Sequence, residues 1–124
     1  MAVQHSAAFV ALVDDAKSRV KEVSVVETLE RLAANPNAVL IDVREDNEWD
    51  AGHATAAKHL GKGIIERDIE AAVPDYGAEL ILYCGGGFRS ALAGDALQKM
   101  GYTNVASMAG GWRSWKAVGA PTTT

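Results

Sequence analysis

Two stretches constrain the fold of this chain more than any other: AVLIDV at 38–43 and AELILY at 78–83. Both are close to continuous in apolar residues. A strand with one wet face alternates polar and apolar positions, so runs like these belong to strands covered on both sides, as in a parallel sheet. The first is preceded by NPN at 35–37, which stops a helix, and the second leads straight into Cys84, the only cysteine in the chain.

Helical spacing fills the intervals. Phe9, Leu12, Val13, Ala16 and Val20 predict an amphipathic helix near the N-terminus. Ser24 and Glu27 form an S-x-x-E capping box for a helix carrying Val26, Leu29, Leu32 and Ala33. EDNEWDA (45–51) predicts a short helix closed by Gly52, and IIERDIEAAV (64–73) one with Ile65, Ile69 and Ala72 on a single face, ended by Pro74. A further helix places Leu92, Ala93, Ala96, Leu97 and Met100 inside and is capped by Gly101. KEV (21–23), AKHL (57–60) and NVASM (104–108) read as shorter strands, AGG as a turn and WRSWKAV as a closing helix. The expectation is an α/β fold: a parallel sheet of four to five strands with helices on both faces. Residues 1–20 would be a helix packed on a domain spanning 21–119, with 120–124 as a tail.

At 124 residues and 48% hydrophobic, the chain has the material for one core. Its formal net charge is −4 and it has no basic run, so neither nucleic acid nor an anionic membrane is an expected partner. AAFVALV (7–13) is too short for a membrane span and is followed by Asp14 and Asp15, so no signal peptide is expected. A single cysteine makes no intrachain disulfide; the expectation is a reducing compartment, the cytoplasm, and a free thiol.

Cys84 sits where ligands bind in open α/β sheets, beyond the carboxyl end of a strand. The segment Cys84-Gly85-Gly86-Gly87-Phe88-Arg89-Ser90 would curl so that successive N–H groups face one centre, and the next helix adds its unpaired N–H groups and dipole. The product is an anion bowl with a sulfur at its base, a setting that lowers a thiol's pKa and suits a nucleophile. The other reading is a small buried hydrophobe. Arg89 weighs toward function, because a cation at a helix start opposes the dipole unless it faces something negative.

These residues resemble the rhodanese (thiosulfate sulfurtransferase) family. Cys84 to Arg89 reads C-x-x-x-x-R, like that family's six-residue loop; LIDVREDNEWDAGH (40–53) resembles its upstream signature, and GYTNVASMAGGWRSW (101–115) its closing segment. The resemblance implies a two-step sulfur transfer through a Cys84 persulfide, from thiosulfate or a persulfide donor to cyanide or a thiol. Cys84 and Arg89 would be the catalytic pair, with Gly85, Gly86, Gly87, Phe88 and Ser90 binding the anion. Related dual-specificity phosphatases have a loop one residue longer; a small phosphatase or arsenate reductase remains the enzymatic alternative, and a sulfur-relay module serving an acceptor protein the other. No cofactor is implied, and a monomer is expected.

In the family the positions of Asp42 and Arg44 hold loops near the site by polar contacts, and Glu48 is placed to pair with Arg44 on the short helix. Lys62 and Arg67 either overhang the bowl as additional cations or lie on a solvated helix with Arg67 paired to neighbouring acids. His53 and His59, among Asp46, Glu48 and Asp50, match no ligand spacing, so no metal is expected. Trp112 and Trp115 read as anchors of the last helix, and Phe88 as a rim residue that contacts an acceptor.

Overall fold

The computed structural model describes residues 4–124. In chain order the elements are α1 (Ala7–Lys17), β1 (Lys21–Val23), α2 (Val25–Ala34), β2 (Val39–Asp42), α3 (Asp46–Ala51), β3 (His53–Ala54), β4 (Ala57–His59), α4 (Ile65–Ala72), β5 (Leu80–Tyr83), α5 (Phe88–Met100), β6 (Val105–Met108), α6 (Gly111–Ala117) and β7 (Thr122–Thr123). Five strands form one sheet in the order β1-β6-β5-β2-β4, every neighbouring pair parallel.

Side chains alternate across a strand, so the apolar runs feed two cores. Ile41, Leu80, Leu82 and Cys84 face Ile65 and Ile69 of α4 and Ala93 and Leu97 of α5. Leu40, Ile81, Tyr83 and Met108 face the other way, onto Val25 of α2 and Trp115 of α6. The sheet is therefore covered on both faces, as its continuous hydrophobicity requires. Cys84 extends β5 on the α4–α5 side.

Four positions expected inside are outside. Leu12 is 57% and Val26 59% exposed, and Ala33 and Ala72 are also exposed. Each lies one residue from the true contact stripe. α1 rests on α5 through Val13 and Ala16, with Val20 completing the stripe just beyond it; α2 turns Val25 and Thr28 inward; Val73, just after α4, takes the place expected for Ala72. Arg19 extends the α1–α5 contact with two hydrogen bonds of 2.9 Å to Asp95. The last residues return to the body of the fold: Thr122–Thr123 pair antiparallel with His53–Ala54. Among the described residues no helix is long and apolar enough to cross a membrane.

Candidate active site

β5 delivers Cys84 to the base of a cleft of about 710 Å³, with only 1% of the residue exposed. The chain then turns through Gly85–Gly87 into α5. Of the three glycines only Gly87 has a positive φ, 100°, so the expected curl rests on one left-handed residue rather than on all three. That residue is the hinge into α5, and its N–H points back at Sγ from 3.0 Å.

The loop is held from the far side by α6. Trp112 N–H donates to the Cys84 carbonyl at 2.7 Å and Arg113 N–H to the Gly85 carbonyl at 3.2 Å. This approach explains the paired glycines of AGG. Gly111 has φ 51°, and a Cβ there would lie 2.2 Å from the Cys84 carbonyl oxygen, so only glycine fits.

Ser90 does not cap α5; Gly87 occupies that position. The Ser90 side chain is buried on the inner face, with Oγ 3.5 Å from Sγ and 2.8 Å from Ser107 Oγ. Burial pushes the Cys84 thiol up, but the Ser90 hydroxyl and the N–H groups of Ser90, Gly86 and Gly87 outweigh it and hold the thiol below its ordinary value. These donors stabilise a negative sulfur, and the nearby Arg89 guanidinium, itself held mainly by Glu48, is in turn favoured by charge on Cys84.

Arg89 does face a negative group, and that group is Glu48. Nη1 donates to Oε1 at 2.7 Å and Nη2 to Oε2 at 3.2 Å, joining the start of α5 to α3. The pair holds the Glu48 carboxyl below its usual range and raises Arg89. The expected Glu48–Arg44 pair is absent because Arg44 is committed elsewhere. It grips Asp42 through Nε and Nη2, donates to the Gly52 carbonyl at 2.7 Å and lies 4.8 Å from the Trp112 ring centre. Asp42 and Arg44 are buried and fasten the end of β2 to the residues after α3, beside the cleft rather than in it.

Lys62 and Arg67 are not brought to the cleft. Lys62 is exposed, and Arg67, its side chain 74% exposed, is turned to Asp68 at 2.7 Å. The physical reason is the neighbouring carboxylate, which gives the guanidinium a partner on its own helix. His53 and His59 both stack on Trp49, with ring centres 3.4 and 4.9 Å away. Trp115 anchors α6 in the core, its indole N–H donating to Pro121.

Three lining residues, His5, Phe9 and Arg113, were not expected at the site. Phe88 is half-buried against His5 and Phe9, at ring-centre distances of 4.7 and 6.0 Å, so the lead-in to α1 walls the cleft. Arg113 reaches the same cleft from α6. Its signal was its place after the paired glycines, which start α6 against the Cys84 loop.

The rhodanese-like domain model matches residues 25–118. A thiosulfate sulfurtransferase GlpE of Pseudoalteromonas translucida is 30% identical over 97 residues, covering 78% of this chain and 90% of its own. The GlpE of Pseudomonas putida is 32% identical over 100 residues, with 81% and 88% covered. The solution structure of the polysulfide-sulfur transferase homodimer from Wolinella succinogenes superposes with a TM-score of 0.82 at 29% identity, over 94% of this chain and 88% of that one.

Proposed function

From the premise that the chain belongs to the rhodanese-like family, we propose that it is a sulfurtransferase in which Cys84 carries the transferred sulfur. The Cys84 thiolate attacks the outer sulfur of thiosulfate; the S–S bond breaks and sulfite leaves with the bonding pair. Cys84 is left as a persulfide anion. Cyanide or a thiol then attacks the outer sulfur, the electron pair returns to Sγ, and the product departs as thiocyanate or as a new persulfide that keeps the acceptor's proton.

One observation carries this reading: the Gly87 N–H at 3.0 Å, with the Ser90 hydroxyl beyond it, turned on a sulfur at the foot of an open cleft. Preorganised donors of this kind favour charge on the attacking and leaving sulfur alike. Asp42 and Arg44 position the strand end, and Arg89 fastens α5 to α3. The six-residue loop from Cys84 to Arg89, one residue shorter than that of the related phosphatases, supports sulfur transfer over phosphate chemistry. The lone free thiol fits a reducing compartment, the cytoplasm. The test is thiosulfate:cyanide turnover in the wild type and Cys84→Ser. Activity in the wild type alone is expected; turnover that survives the substitution, or p-nitrophenyl phosphate hydrolysis in place of sulfur transfer, would overturn the assignment.

A further inference from the structure

Cys84 occupies only the floor of its cleft. The remaining space, within about 710 Å³, far exceeds what a five-atom thiosulfate ion fills. Two features bound this upper chamber. One is aromatic: the rings of Phe88, His5 and Phe9 meet at 4.7 to 6.0 Å, and two of the three come from the lead-in to α1 and its first turn, outside the matched residues 25–118. The other is Arg113, whose guanidinium overhangs the loop: a Cβ added at Gly86 would lie 3.9 Å from its Nη2.

The charges around the chamber do not cancel. Glu48 and Arg89 neutralise each other. Arg113 is in none of the ion pairs of the described residues, and it is exposed to whatever enters. A persulfide on the floor needs an acceptor whose sulfur reaches down to a residue 1% exposed. A small molecule meets that demand wholly within the chamber; a cysteine on a folded partner must first pass the aromatic wall.

We propose that this chamber is the acceptor site and that the acceptor is a small anionic thiol. Arg113 holds its carboxylate, the Phe88–His5–Phe9 wall takes its carbon skeleton, and its sulfur is aimed at the outer sulfur on Cys84. The thiol sulfur forms a bond to that outer sulfur, the bond to Sγ breaks, the pair returns to Sγ as the thiolate, and the acceptor's proton leaves on the product persulfide. This rests on the persulfide reading above.

The test separates the two half-reactions. Protein loaded with thiosulfate and freed of excess donor is mixed with glutathione, which carries carboxylates, or with uncharged 2-mercaptoethanol, and loss of the persulfide is followed against thiol concentration. Glutathione should saturate at lower concentration than 2-mercaptoethanol. Arg113→Ala should raise its half-saturating concentration about five-fold, in keeping with loss of a charge-assisted contact at a wet site, and leave the limiting rate within about two-fold. Arg113→Lys should recover most of the difference. The proposal is overturned if the preference for glutathione survives Arg113→Ala. It is equally overturned if no small thiol saturates while reduced thioredoxin discharges the persulfide at far lower concentration. Failure to load sulfur, visible before any acceptor is added, brings down the function assignment and this proposal with it.

Discussion

Sγ of Cys84 lies between two opposed influences. Burial favours the neutral thiol, whereas the Ser90 hydroxyl and three backbone N–H groups favour the anion and prevail. Iodoacetamide alkylation followed against pH should therefore inflect below the roughly 8.5 of an unperturbed thiol. An inflection at or above that value would mean that burial dominates. Ser90→Ala removes one of the donors, and its inflection should lie above that of the wild type, with slower transfer at neutral pH. Glu48 gives a second residue-level expectation. Its folded-state pKa is depressed, first by Arg89, so its contribution is fully present above the ordinary carboxylate value, about 4.3, and is lost as pH falls through the lower folded value. Glu48→Gln should cost about 1 kcal/mol near neutrality in urea unfolding, with a difference from wild type that vanishes at low pH. A constant difference across that range would contradict the ion pair's role.

Among the elements, α6 matters as much to the site as the strand that bears the cysteine. Its first N–H groups fasten the carbonyls of Cys84 and Gly85, an approach open only to glycine at Gly111. Gly111→Ala should destabilise the protein by about 3 kcal/mol or more, combining a left-handed backbone with a clash, and reduce sulfur loading in whatever folds. A thermal midpoint equal to wild type would refute this account of the turn. The strands and helices themselves were legible because each apolar run or 3.6-residue stripe is local. The stripe edges were not: whether Leu12 or Val13 is covered depends on how narrow the α1–α5 contact is, which no local period records. Nor did β3 and β7, two residues each, offer a pattern to read. Arg89 was read as facing an anion, but that Glu48 pairs with it rather than with Arg44 depended on Arg44 being taken by Asp42.

At the scale of the molecule, the parallel sheet places the end of β5, the start of α5, α6 and the lead-in to α1 around one cleft, although these segments are far apart in sequence. Cys84 and its loop were readable in advance because their chemistry is written in consecutive residues; Arg113, His5 and Phe9 were not, since only the tertiary arrangement brings them there. Among the described residues the large apolar side chains left exposed, Leu12, Val26, Tyr76 and Val118, lie on separate segments, and scattered residues of this kind are ordinary on the surface of a monomer. Light scattering should accordingly give the mass of one chain, in contrast to the Wolinella homodimer; the mass of two would show that an interface is built from something other than these four residues. The most direct test of the whole account is the mass of the intact protein after thiosulfate treatment. One added sulfur is expected, located on Cys84, absent from Cys84→Ser and removed by a thiol. An unchanged mass, or a gain that persists in Cys84→Ser, would contradict it.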